Sequence, residues 1–80
     1  MRLVLIEWVD SFGCSPNWTP MSEDQPEPMI CKSVGWLAHD GTSCKVVVPH
    51  IADSAEQGCG DMTIPNEAIR RVVDLEAPPG

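Results

Sequence analysis

The feature that most constrains the fold is a pair of apolar runs on either side of Asp40-Gly41. An Asp-Gly dipeptide readily supplies the positive φ angles of a tight hairpin turn. The sequence therefore predicts a β-hairpin whose arms are residues 29–38 and 44–50, with Pro49 ending the second arm. Such a hairpin indicates a β protein but carries no information about function.

The other segments predict three more strands. Residues 3–9 are apolar except for Glu7 and predict a buried first strand. Residues 61–64 predict a short strand, and residues 65–68 a turn or a single helical turn, since proline suits a first helical position. Residues 69–75 alternate between apolar and polar and predict a last strand, although a helix over 66–75 also fits their spacing.

The remaining segments favour irregular structure. Residues 11–28 contain four prolines, which lack the N–H that a sheet needs, and predict a long irregular loop that Phe12 and Trp18 could anchor. Residues 51–60 predict a second loop, and residues 77–80 a flexible tail. Within the second strand, Gly35 beside Trp36 predicts a bend or a bulge.

The order of these elements resembles that of SH3-like small barrels. It predicts an all-β fold: a five-stranded barrel over residues 1–76, with a long Pro-rich first loop and one short helical turn before the last strand. A closed barrel would also protect the edges of the sheet from pairing with other chains. Eighty residues bury only a marginal core, so we expect a homo-oligomer.

The net charge of −7, from 12 acidic and 5 basic residues, argues against nucleic-acid binding. An acidic surface fits a basic protein partner, or simply keeps the protein soluble. The apolar N-terminal segment is interrupted by Glu7 and Asp10 and is unlike a signal peptide or a membrane span. We therefore expect a cytoplasmic protein without membrane contact.

The sequence gives no signature of catalysis or of a metal site. Its four cysteines contain no pair at the C-x₂₋₄-C spacing that structural zinc sites use, although His39 and His50 flank Cys44. Neither a nucleophile elbow nor a glycine-rich phosphate loop is present. We expect no catalytic residue, no metal and no cofactor. The cysteines are Cys14, Cys31, Cys44 and Cys59.

Three segments resemble small proteins encoded by tailed phages and prophages: Trp8-Val9-Asp10-Ser11, Ser33-Val34-Gly35-Trp36-Leu37, and Gly60-Asp61-Met62-Thr63-Ile64-Pro65 followed by Ala68-Ile69. The resemblance implies a phage accessory protein that acts in the cytoplasm of a bacterial host. Proteins of this kind often inhibit host defence, either by blocking a host protein or by trapping a nucleotide signal.

The leading functional hypothesis is a binding protein that sequesters a small nucleotide-type signal between subunits. Tryptophan faces stack nucleobases and basic side chains hold phosphate, although Trp8 and Trp36 also suit the core. The predicted ligand-binding residues are Trp18, Trp36, Lys45, Arg70 and Arg71. The first alternative is a protein–protein inhibitor or adaptor that presents Glu23, Asp24 and Glu27 to a host protein. The second is a structural or regulatory protein without a ligand.

Overall fold

A computed structural model describes residues 1–11, 16–21 and 27–76. The predictions made for Phe12, Glu23, Asp24 and the tail 77–80 lie outside these ranges. The described residues form seven β-strands and two short 3₁₀ turns. They are β1 (Leu3–Asp10), β2 (Met29–Asp40), β3 (Cys44–Val48), β4 (His50–Ala52), η1 (Asp53–Ala55), β5 (Gln57–Cys59), β6 (Met62–Pro65), η2 (Asn66–Ala68) and β7 (Ile69–Asp74).

Five strands form an antiparallel sheet in the order β6-β3-β2-β1-β7, and β4 pairs with β5 in a separate two-stranded sheet. The all-β prediction is confirmed. The last segment is a strand rather than a helix, because Val72 and Val73 pair with Ile6 and Leu5 of β1. The N–H of Leu75 continues this ladder by donating to the carbonyl of Leu3 at 2.8 Å.

The sheet is not closed into a barrel, which differs from the prediction. The edge strands β6 and β7 do not pair with each other among the described residues. They follow one another in the chain, and the three residues of η2 that connect them span only about 10 Å. The sheet therefore curls until its two edges converge at η2. Pro65 ends β6 without an N–H to donate, so pairing stops there.

The core lies on one face of this sheet. A cluster of five buried side chains fills it, and Trp8, Ala68, Ile69 and Val72 pack against the cluster. Each buried aliphatic side chain stabilises the fold by about 1.5–3 kcal/mol relative to an exposed one. The five cluster residues are Val4, Ile6, Leu37, Val47 and Ile64.

Gly35 does not form the predicted bulge; the register of β2 and β3 shifts between Leu37 and His39 instead, leaving Ala38 as the extra residue. Gly35 is buried, and a Cβ atom there would lie 2.7 Å from the carbonyl oxygen of Val48. Glycine is therefore needed for the close approach of β2 to β3 rather than for a change of register.

The predicted hairpin is present, but its turn differs in detail. Strand β2 continues to Asp40, and the N–H of Gly41 donates to the carbonyl of Cys44 at 3.0 Å. Gly41 does not adopt a positive φ; among the described residues only Glu56 and Gly60 do. A side chain at Gly41 would instead overlap the imidazole of His39.

The segment 51–60, predicted to be a loop, contains β5 and most of β4. These strands have three residues each, and the chain turns between them at Glu56, whose φ is 50°. These two strands are too short, and the segment too polar, for the sequence to show the alternation that is typical of a strand. Gly58 faces Val48, since a Cβ atom at Gly58 would lie 2.7 Å from Val48 Cγ1. This small hairpin thus covers one end of β3.

Candidate functional site

A groove of about 660 Å³ opens where β1 ends, where the chain approaches β2, and where η2 begins. We call it the Trp8 groove. Its volume is within the range of ligand sites, which are about 300–1,000 Å³. The groove is lined by Trp8, Val9, Asp10, Ser11, Glu27, Pro28, Pro65 and Ala68.

Trp8 forms the aromatic wall of the groove. Its position in β1 is fixed on both sides, by pairing with Cys31 of β2 and with Ile69 of β7. The indole Nε1–H donates to Ser33 Oγ at 3.0 Å. Because an indole has only this one donor, the part of the ring that faces the groove presents apolar surface alone. Trp8 also packs against the core cluster, and this contact fixes the position of the indole.

Two carboxylates and two prolines complete the groove. Asp10 is held at the last position of β1 by pairing with Met29, and its Oδ1 accepts the Ser11 N–H at 2.9 Å. Glu27 and Pro28 line the groove where the chain approaches β2, and Pro65 lines it from the end of β6. None of the described residues that line the groove is basic. The groove therefore combines an apolar wall with an acidic rim.

Lys45, one of the predicted ligand-binding residues, is bonded within the hairpin. Its Nζ donates to Asp40 Oδ1, and its side chain is mostly buried. This hydrogen bond, together with the charge of Lys45, lowers the pKa of Asp40 below the ordinary value for an aspartate. Lys45 therefore has its charge balanced inside the fold.

Arg70 and Arg71 differ in their surroundings. Arg71 Nε lies 3.5 Å from Glu7 Oε2. Arg70 is the extra residue of a second bulge, where β1 pairs Glu7 with Arg71 and Trp8 with Ile69. Both arginine residues are exposed.

The two predicted tryptophans lie apart from these cations and from each other. Trp36 pairs with Leu3 and with Val48, on the face opposite the core. It is half-buried but does not belong to the core cluster. Trp18 is fully exposed, in the short described segment 16–21.

A single subunit does not bring the predicted ligand residues together. Lys45 on β3 and Arg71 on β7 are separated by β2 and β1, which amounts to about 14 Å across the sheet. Trp36 lies opposite Leu3, whereas Arg71 lies opposite Glu7, about 13 Å further along β1. A nucleotide site built from these residues would need more than one subunit.

Of the residues predicted to contact a protein partner, Glu27 lines the Trp8 groove, whereas Glu23 and Asp24 lie outside the described residues. Sequence reasoning did not find Asp10, Pro65 or Ala68 as groove residues. Their only signal is that each lies at the end of a strand or in a turn. Their meeting depends on η2 joining the two sheet edges, which no local pattern shows.

The described residues contain no group of three or more His, Cys, Asp or Glu side chains that could hold a metal ion. Cys31, Cys44 and Cys59 are free thiols. Within the same ranges, no helix has the length and apolar character that crossing a bilayer requires.

The fold and the groove define a class: a small antiparallel β protein with an apolar, acid-rimmed surface groove. No protein-family model matches the chain, and neither a curated protein nor a solved structure is significantly similar to it. The chemistry of the groove is therefore the basis on which a function is inferred.

Proposed function

We propose that this chain is a non-enzymatic binding protein that holds a basic, apolar segment of a partner protein in the Trp8 groove. The observation that carries the proposal is the pairing of an indole wall with two carboxylates, those of Asp10 and Glu27, in one groove. This proposal corresponds to the protein–protein inhibitor or adaptor among the sequence hypotheses, with the contact surface moved toward the end of β1.

The chemistry of the groove selects the ligand. An arginine guanidinium can lie over an indole face, worth about 0.5–1 kcal/mol at an exposed site, while it bonds a neighbouring carboxylate. Pro28 and Pro65 offer rigid apolar surface for an aliphatic or proline side chain of the partner. The groove has room for a few side chains, which favours a linear segment over the flat surface of a folded domain.

The setting we propose is that of a phage accessory protein that blocks a host defence protein in the bacterial cytoplasm. The order β6-β3-β2-β1-β7 and the short turn before β7 support an SH3-like topology for the curled sheet. The net charge of −7 adds long-range attraction toward a basic host protein.

Sequestration of a nucleotide-type signal stays a prediction. It requires Trp18, Trp36, Lys45, Arg70 and Arg71 to come together from different subunits. A rise in melting temperature with cyclic or linear nucleotides, lost in Arg71→Ala, would support it over peptide binding. If neither nucleotides nor peptides bind, the third hypothesis, a structural or regulatory protein without a ligand, is favoured.

The test uses a short synthetic peptide in which Arg alternates with Leu, and a matched peptide with Glu in place of Arg. We expect calorimetry to detect saturable binding of the Arg peptide alone, weakened by salt because charge attraction contributes. The double variant Asp10→Asn, Glu27→Gln should lower the affinity by about tenfold or more.

The matched control is Asp53→Asn, Glu56→Gln, which also removes two negative charges but on residues outside the groove. It should bind almost as wild type does. Equal loss in both double variants would mean that net charge, not the groove, attracts the peptide. Equal binding of the Arg and Glu peptides would overturn the proposed ligand chemistry.

A further inference from the structure

The five-stranded sheet has a second apolar face, opposite the core. Side chains alternate between the two faces of a strand, so Leu3 and Leu5 point away from the core that Val4 and Ile6 fill. Cross-strand partners share a face, which extends this surface onto the neighbouring strands. We define the outer face by six residues: Leu3, Leu5, Val34, Trp36, Val73 and Leu75.

The outer face is apolar and partly open to solvent, since Val34 and Val73 are exposed while the other four residues are half-buried. Leu5 lies between Val34 of β2 and Val73 of β7, which are 52% and 36% exposed. The buried apolar residues of the described chain are few: the five-residue core cluster and Val48, which lies beside Trp36 on the outer side of the sheet under the β4–β5 hairpin. A core this small leaves a domain of this length marginal, and burial of the outer face would add the second apolar layer that it lacks.

Next to the outer face lies a row of charged residues that could form ion pairs with the same row of a second copy. Glu7 pairs in register with Lys32 on one side and Arg71 on the other, so the row reads positive, negative, positive across three strands. Arg71 contacts Glu7 at 3.5 Å, whereas Lys32 forms no ion pair with any described residue. Two such rows placed face to face and displaced by one strand toward β2 would set each Glu7 opposite the unpaired Lys32 of the other copy.

The same face suits a second copy of an acidic protein. By register and alternation, Glu7 is the one acidic side chain that the described strands of the main sheet place on it. The other acidic side chains of these strands, Asp10, Asp40 and Asp74, lie on the core side, where they do not oppose contact between two outer faces. A partner with a strongly acidic or basic surface would lack this match.

The area fits a small, reversible interface. Three strands, β2, β1 and β7, each about 4.8 Å wide, and the eight residues of β1, each about 3.4 Å long, give a face of about 14 by 27 Å. Two such faces in contact bury on the order of 800 Å², which is in the range of weak and transient interfaces. The expected association is therefore weak and depends on concentration.

We propose that the outer faces of two copies of this chain pack against each other in a two-fold symmetric dimer. The two sheets stack about 10 Å apart, with the aliphatic rows in contact and the charged rows interlocked. Trp8 points to the opposite side of the sheet, with the core, so each copy keeps its groove accessible. The dimer is then a bivalent binder, and its existence does not depend on what the groove holds.

Sedimentation velocity on the full chain tests the dimer. We expect wild type to sediment at twice the chain mass of 8.7 kDa at about 100 μM, dissociating on dilution. Val34→Lys should be monomeric, because it places a charge at the centre of the interface. The control Thr42→Lys adds the same charge at an exposed site in the hairpin loop and should stay dimeric.

Circular dichroism on Val34→Lys shows whether the variant is a folded monomer or an unfolded chain. We expect a folded monomer, because Val34 is half-exposed and a lysine side chain can reach solvent there. A second variant, Lys32→Glu, should weaken association about tenfold, because its carboxylate would lie opposite the carboxylate of Glu7 in the other copy. A wild type that stays monomeric at about 100 μM, a dimeric Val34→Lys, or wild-type association of Lys32→Glu would each overturn the arrangement.

Discussion

Truncating Ile6 tests which face of the sheet is the core. Ile6 is fully buried within the core cluster, and Ile6→Ala removes three carbon atoms from it. The lost transfer free energy is about 2.4 kcal/mol at about 0.8 kcal/mol per methylene. The cavity left behind adds to this, and buried Ile-to-Ala changes cost about 2–5 kcal/mol in all.

This cost is large relative to the total free energy of unfolding. A chain of 80 residues has a free energy of unfolding of about 4–12 kcal/mol, so Ile6→Ala should remove about a sixth of it or more. Urea denaturation followed by far-UV circular dichroism measures the change as a fall in the midpoint with an unchanged slope.

Met62→Ala is the matched control, since it also removes three heavy atoms but from a side chain that is 43% exposed on the edge strand β6. It should cost less than about 1 kcal/mol. If Met62→Ala costs as much as Ile6→Ala, or if Ile6→Ala costs less than about 1 kcal/mol, the assignment of Ile6 to the buried core is wrong.

Two further predictions concern the β2–β3 hairpin. Gly35→Ala should destabilise the fold by about 1–3 kcal/mol, because its Cβ would lie 2.7 Å from the Val48 carbonyl oxygen; a urea midpoint equal to that of wild type would contradict this. The hydrogen bond from Lys45 and the positive charge of Lys45 lower the pKa of Asp40. The pair therefore stabilises the fold at pH values above the ordinary pKa of an aspartate, and this stabilisation is lost as the pH falls through the lowered pKa. Urea midpoints measured down to acid pH should show this loss in wild type and not in Asp40→Asn, and identical profiles would contradict the assignment.

The strands of the main sheet could be predicted because each has a local signal. The arms of the hairpin and the strand at residues 3–9 were found from their apolar runs, and the structure extends both β1 and β2 by one or two residues. The strand at residues 69–75 had a helical alternative, since Ile69, Val72 and Val73 suit either period. Pairing with β1 decides between them, and this long-range contact has no local signature.

Other features depend on contacts that the sequence does not show. Because β1 is apolar on both faces, its pattern does not reveal that Val4 and Ile6 form the core while Leu3 and Leu5 form the outer face. The β4–β5 hairpin is too short for periodicity. The Trp8 groove arises where Pro65 and Ala68, far along the chain, are brought beside β1 by the curl of the sheet.

The most direct test of the central claim is a nuclear magnetic resonance titration of the ¹⁵N-labelled protein with the Arg-Leu peptide. The indole N–H groups of Trp8 and Trp36 report on the groove and the outer face respectively, since the two rings lie on opposite faces of the sheet. We predict a saturable shift of the Trp8 signal with the Trp36 signal unmoved. A Trp8 signal that stays in place while the peptide binds, or a shift at Trp36 instead, would contradict the assignment of the groove as the binding site.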